Sequence, residues 1–424
     1  MRTIRNVGPE SIDQYMEVYL NSYPAFKSLD DDCYAHYEEK TLLDMTTDPD
    51  VDFVGMFEDE KMIAIMKVVH FRINLFGRMQ SAYGLMSLGV HPLYKKQHAA
   101  LEMVREFERR AAAEGTLLTL LLPFRMDFYR GMGYGYGTRM DEYRIPVASL
   151  PKAVKDTGRR FELELVGKDA VPEMVDCYNA VCADNHGALQ KFSEEARLMG
   201  LSASPRRLVC RENGEMVGYL VWHYDQQNDT NYTLNTLVVE EMVYADGDVL
   251  QQLLSFLRKQ ADLAQSLVLR TGEEDFYHLL EDAADTSGNY IDFGYLQTNV
   301  SAMGSMYKVF DPERFIKGTA YRVTAEGDLT ARFLWNEPFG GESRSITVRF
   351  RDRRWRVVQS FEYAAEPDVT AELSLANLSS VLMGSCSLSS LVRLGACTVS
   401  DPAEADRLSA LLRTEQKPWS NNDY

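Results

Sequence analysis

Leu88-Gly-Val-His-Pro-Leu-Tyr-Lys-Lys-Gln-His-Ala-Ala-Leu101 reads as the end of a strand, a short basic loop and the start of a helix. This arrangement cradles phosphate. The first amides of a helix have no intrahelical acceptor and its dipole brings partial positive charge there, while Lys95 and Lys96 add full charges. A solvated basic helix start with no ligand has the same pattern, so the surrounding elements must decide.

Working outward, Thr3–Val7 reads as a strand and Gly8-Pro9 as a turn. Ile12, Met16, Tyr19 and Tyr23 follow at spacings of four, three and four, the face of an amphipathic helix. An acidic helical stretch covers Leu29–Asp44. Phe53–Phe57 and Met62–Val69 then flank the polar turn Glu58-Asp-Glu-Lys61, which signals a hairpin, and a further strand lies near Tyr83–Val90. Beyond the basic loop, Leu101, Val104, Phe107 and Ala111 line a helix over Ala99–Ala113, stopped at Gly115. The apolar run Thr116–Leu122 has the character of a strand covered on both faces.

The opening recurs 159 positions later: Val7-Gly8, Ile12, Met16, Glu17 and Tyr19 correspond to Val166-Gly167, Val171, Val175, Asp176 and Tyr178. The second copy continues into a hairpin with Asn213-Gly214 at its turn. A chance match of two generic strand-helix-hairpin units is the alternative. From about Met306 the pattern changes, with a helix entry at Pro312, strands at Ile346–Phe350 and Trp355–Ser360, and helices at Leu375–Met383 and Ala403–Arg413.

Directly after the buried strand comes Asp127-Phe-Tyr-Arg-Gly-Met-Gly-Tyr-Gly-Tyr-Gly137. With the basic loop, it resembles the GNAT acetyltransferase superfamily. In that superfamily a Val-x-Pro-x-Tyr strand end leads into an Arg/Gln-x-x-Gly-x-Gly/Ala loop, and Phe-Tyr-x-x-x-Gly-Tyr/Phe follows the fifth strand. His98 departs from this pattern, standing where the first glycine is usual, whereas Ala100 conforms. The resemblance implies that acetyl-CoA is held by Leu88, Gly89, Val90, Lys95, Lys96, Gln97, His98, Ala99 and Ala100. It also implies that Tyr129 protonates the departing CoA thiolate. The chemistry is reasonable, because a phenol of pKa about 10 donates to a thiolate of comparable basicity, about 8.5. Tyr129 as a packed aromatic alone stays open, and Tyr134 reads as structural.

Two such units, a third α+β domain and a terminal aromatic residue together resemble the enhanced intracellular survival (Eis) family of bacterial acetyltransferases, over essentially the whole chain. The resemblance implies two tandem GNAT-like folds, a catalytic one at 1–147 and a degenerate one at 148–304, followed by a sterol-carrier-protein-like α+β domain at 305–424. It further implies a homohexamer, no metal, and acetyl-CoA as co-substrate in the first unit alone. The C-terminal carboxylate of Tyr424 becomes the general base, Asp423 lies on the substrate side, and the acceptor is a cationic amine of aminoglycoside or polyamine type or a lysine side chain. The second unit supports its own vacancy: after the strand Thr236–Val239, four carboxylates in Glu240–Asp248 would repel a pyrophosphate. In the tail, Pro418 and Trp419 favour an extended, anchored course, although polar chain ends also fray.

The chain has 424 residues, 45% hydrophobic and 25% charged, as expected for two or three globular domains. Its net charge of −18 argues against a nucleic-acid partner and is suited to cationic small molecules. The N-terminus lacks the apolar run of a signal peptide, and no stretch is long enough to span a bilayer, so a cytoplasmic protein with no membrane partner is expected. Six cysteines without C-x-x-C spacing predict neither zinc nor a disulfide framework. Two other functions fit: an N-acyltransferase carrying a longer acyl-CoA to a protein N-terminus, and a noncatalytic lipid-binding or regulatory protein using the third domain.

Overall fold

The computed structural model describes every residue except 24, 27–28, 153, 155, 202–204, 293, 320–324, 339–340, 359–365 and 421–424, and it leaves out the side chain of Leu201. The Asp423 and Tyr424 expectations therefore lie outside the described residues.

Two seven-stranded sheets follow one plan. In order, the first contains Arg2–Asn6, Val51–Glu58, Lys61–Asn74, Met79–Val90, Thr119–Leu121, Met306–Lys308 and Gly135–Tyr136. The second, position by position, contains Glu162–Val166, Arg206–Glu212, Glu215–Gln226, Asn235–Tyr244, Ser266–Thr271, Arg139–Pro146 and Val300–Met303. The repeat seen in the sequence is thus a repeat of the fold. Each sheet has one parallel pair, its fourth strand with its fifth, reached through the helices Ala99–Glu114 and Gly247–Arg258.

The sheets do not separate at 147 and 304. Arg139–Pro146 pairs antiparallel with Ser266–Thr271 in the second sheet, while Met306–Lys308 pairs with Thr119–Leu121 in the first. Each unit therefore receives its sixth strand from outside its expected bounds, the first from the start of the segment expected to form the third domain and the second from the end of the segment expected to form the first unit. Open fifth strands would otherwise present unpaired backbone groups, and the exchange satisfies both.

Most local expectations hold; of the strand expected over Trp355–Ser360, Arg354–Val357 is formed, and Gln359 and Ser360 lie outside the described residues. Two other strands differ. The strand expected over Thr116–Leu122 is confined to Thr119–Leu121, because the Thr116 hydroxyl turns back to donate to the Ala111 carbonyl at 3.0 Å. The strand expected at Thr236–Val239 runs on to Tyr244, leaving almost no loop before the helix Gly247–Arg258. All six cysteines are free thiols, and four are buried. Among the described residues no helix is long and apolar enough to cross a membrane.

The third domain is a five-stranded sheet ordered Arg354–Val357, Ser343–Arg351, Leu329–Asn336, Val369–Leu373 and Cys397–Val399. Its helix Leu375–Leu382 buries Leu375, Leu378, Val381 and Leu382. The same helix presses on the first unit: Ser379 Oγ accepts from the Val309 amide at 3.0 Å, and Ser380 Oγ donates to the Tyr136 carbonyl at 2.8 Å.

His186 ties the three units together. The Phe76 amide donates to its Nδ1 at 3.2 Å, and its Nε2 faces the Met383 carbonyl at 3.0 Å. Only the neutral ring protonated on Nε2 suits both partners. Burial pushes its pKa down to about 4, against about 6.5 when unfolded. A depressed histidine makes the unfolded state bind more protons between these values, so stability is lost as pH falls through that window, by up to about 3 kcal/mol. Denaturation midpoints measured at about pH 7 and about pH 4 should fall more steeply in the native protein than in His186→Gln.

Candidate active site

The first sheet opens where its parallel pair ends. Met79–Val90 and Thr119–Leu121 are paired from Tyr83 to Leu85 and from Thr119 to Leu121, and then diverge. On its other side, Met79–Val90 bulges: Lys67 pairs with Met86 and Ile65 with Gly89, so Ser87 and Leu88 together oppose one residue and stand outside the ladder. Ser87 takes φ +48, an uncommon conformation for a non-glycine residue. The result is a cleft of about 230 Å³ lined by Tyr19, Tyr23, Leu85, Met86, Ser87, Leu88, Leu122, Phe124 and Tyr129.

Immediately beyond the bulge lies the basic loop. Lys95, Lys96, Gln97 and His98 are exposed, while Ala99 is buried at the start of its helix. His98 adopts the left-handed conformation, φ +65, that glycine would take at no steric expense. The loop thus keeps its shape without the glycine. Lys96 is left-handed too, φ +62, and each such residue costs roughly 1–2 kcal/mol. Part of that is offset by Arg2, which donates to the Gln97 carbonyl at 2.8 Å and to Glu102 Oε1 at 2.8 Å. The first intrahelical bond runs from the Glu102 amide to the His98 carbonyl, leaving the amides of Ala99, Ala100 and Leu101 to point out of the helix end. Gly89 has a packing part as well, since a Cβ there would sit 2.8 Å from Ser22 Oγ and its lack of a side chain admits the helix Ile12–Ser22.

Tyr129 sits on the short helix Met126–Arg130 and is 3% exposed. Phe124, Phe128 and Tyr134 surround its ring at centroid distances of 5.9, 5.1 and 6.0 Å. Burial pushes its phenol well above the usual range, so it remains protonated at any neutral pH. Its helix is held by the third domain through Arg130, which donates to Asn377 Oδ1 at 2.9 Å. Tyr134 is fully buried, its hydroxyl 3.1 Å from Thr119 Oγ1, consistent with a structural part.

Tyr23 was visible in the sequence only as one member of a helix face. In the fold its hydroxyl donates to the carbonyl of bulged Leu88 at 3.1 Å. Tyr19, Tyr23 and Phe124 had an aromatic signal but no motif, and nothing in the sequence marks the bulge at Ser87. The nine lining residues include no carboxylate.

The second unit differs at each point that matters for phosphate. Asp246 caps the helix Gly247–Arg258, its own carboxylate accepting from the amides of Asp248 and Val249 at 2.9 and 3.1 Å. Arg159 then lies across that end, paired with Glu212 at 2.7 Å, Asp246 at 2.8 Å and Asp248 at 3.1 Å. Amides that could meet a pyrophosphate are already engaged, and the residues around them are acidic.

Residues 3–137 match an acetyltransferase (GNAT) domain, residues 187–298 a second acetyltransferase (GNAT) domain, and residues 337–421 a sterol carrier protein domain. No curated protein matches the chain in sequence. Among solved structures, Eis1 from Mycobacterium abscessus is similar with a TM-score of 0.74 at 17% identity, covering 100% of both chains. A GCN5-related N-acetyltransferase from Anabaena variabilis has a TM-score of 0.78 at 12% identity, again over 100% of both chains. Another, from Kribbella flavida, has a TM-score of 0.74 at 15% identity and covers 100% of this chain and 98% of that one. At these identities the likeness is one of fold. The chain is an enzyme built from two acetyltransferase (GNAT) domains followed by a sterol carrier protein domain.

Proposed function

We propose that the chain transfers acetyl from acetyl-CoA to a primary amine in the cleft between Met79–Val90 and Thr119–Leu121. The carrying observation is the contrast between the two helix ends, open in the first unit and capped and covered in the second, although the strand before each of them bulges, at Ser87 and Leu88 in one and at Glu240 in the other. The amides of Ala99, Ala100 and Leu101, with Lys95 and Lys96, hold the pyrophosphate, and the thioester lies along Leu88–Val90. An amide freed by the bulge at Ser87 and Leu88 stabilises the developing oxyanion. The amine nitrogen attacks the thioester carbonyl, forming the C–N bond, and passes a proton to the Tyr424 carboxylate. As the C–S bond breaks, Tyr129 gives its proton to the departing sulfur.

The layout shared with Eis1 over its full length supports placing the chain in the Eis family, with the cytosolic homohexamer that this resemblance implies. A cationic acceptor of aminoglycoside or polyamine type, or a lysine side chain, fits the net charge of −18. Since no carboxylate lines the described cleft, the local negative charge in this reading comes from Asp423 and the Tyr424 terminus. For a lipid-binding role the third domain offers two spaces among the described residues: an apolar void of about 10 Å³ among Ile316, Phe333, Val348, Trp355, Leu382 and Leu412, no larger than one water needs, and an open cavity of about 780 Å³ lined mostly by polar residues such as Ser385, Ser389, Asp406 and Arg413, which suits a polar ligand better than an acyl chain. Thiol release should be measured over polyamines, aminoglycosides, lysine peptides and neutral amines. Turnover on the cationic amines is expected; release confined to neutral amines, or none with any amine, would reject this reading.

A further inference from the structure

The cleft of the second unit is filled, and part of what fills it is the end of the chain. Tyr178 occupies the place of Tyr19, 159 positions on, and the parallel pairing of the second sheet stops at Val238 and Val268 as that of the first stops at Leu85 and Leu121. Lys191 closes one side. It lies 4.3 Å from the Tyr178 ring centroid and is paired with Glu195 and Glu241 at 2.8 Å each. Trp419 lies against the same tyrosine, ring centroids 6.5 Å apart, and against Gly272, the residue after the strand Ser266–Thr271.

The fit is close. A Cβ on Gly272 would stand 3.1 Å from Trp419 Cδ1, and one on Gly187 would stand 2.6 Å from Pro418 Cβ. The Trp419 amide donates to the His186 carbonyl at 2.8 Å, the His186 amide donates to Gln416 Oε1 at 3.2 Å, and Lys417 pairs with Glu274 at 2.7 Å. These contacts give the tail the extended, anchored course that Pro418 and Trp419 favour, as far as the buried Ser420, where a polar chain end could otherwise fray.

We propose that the second acetyltransferase unit is the receptor for the C-terminal tail, its cleft holding Trp419 as a ligand so that the last four residues leave from one fixed point. At roughly 3.3–3.6 Å per residue those four reach no more than about 14 Å beyond Ser420, so holding Trp419 confines the volume that Tyr424 can sample and releasing it widens that volume. Trp419 is thus a positioning residue. The catalytic half of this inference rests on the reading of the Tyr424 carboxylate as base.

The test uses the full chain as wild type, Gly272→Val, Trp419→Phe and a form with one glycine added after Tyr424. Carboxypeptidase trimming followed by intact mass reads the anchor, and kcat and the KM for acetyl-CoA read its consequence. Trimming is expected to stop before Trp419 in the wild type and to pass it in Gly272→Val, whose kcat falls at least about tenfold with KM for acetyl-CoA unchanged. Trp419→Phe, which keeps an aromatic anchor, should retain most of kcat. Equal trimming of wild type and Gly272→Val would overturn the receptor. Deep trimming of Gly272→Val at wild-type kcat, with the glycine-extended enzyme inactive, would overturn the positioning role. Full turnover in both forms would discard the base and keep the receptor.

Discussion

Replacing Tyr129 with phenylalanine is expected to lower turnover by roughly 100- to 10,000-fold while leaving acetyl-CoA affinity unchanged. The substitution removes one hydroxyl from a ring held by Phe124, Phe128 and Tyr134, none of which needs it, so the packing survives. The pH dependence has a definite sign. Because burial raises the phenol, Tyr129 keeps its proton through neutral and mildly alkaline pH, and no loss of kcat from its ionisation is expected below about pH 10. Single-turnover thiol release checks both points. Wild-type rates in Tyr129→Phe would leave Tyr129 as a packing residue.

The second large effect is expected at the C-terminus. One glycine added after Tyr424 moves the terminal carboxylate by up to about 3.5 Å, enough to misplace a general base. Turnover should fall by roughly 100-fold or more, as should that of a form lacking Tyr424, while acetyl-CoA binding is retained. With an unperturbed pKa of about 3.5, the terminal carboxylate is ionised at neutral pH and acts as a base only when held in a fixed position. Equal thiol release from untagged, extended and shortened enzymes would move the base to a side chain of the first unit.

Much of this architecture was legible in the residues. The spacing of Ile12, Met16 and Tyr19 marked the first helix, and its recurrence at Val171, Val175 and Tyr178 marked a second unit with the same sheet order. The strand exchange was not legible, because Arg139–Pro146 and Met306–Lys308 are ordinary strands whose partners lie more than a hundred residues away. Periodicity reports a face; it does not report which sheet receives it. The loop from Lys95 to Ala100 was found by its charge and its place after a strand. The cleft beside it depends on a bulge at Ser87 and on aromatic residues from a distant helix, features that arise only when Tyr23 meets Leu88. The acidic stretch Glu240–Asp248 signalled an unsuitable phosphate site, but the cause is sharper than repulsion: Asp246 has taken the helix amides for itself.

Titration calorimetry with acetyl-CoA tests the central claim most directly. One molecule bound per chain is expected, with affinity weakened at least about tenfold when Lys95 and Lys96 are both replaced by glutamate, since attraction is lost and repulsion gained. Two molecules per chain, or an unchanged affinity in the double variant, would contradict a single site at the Ala99 helix end.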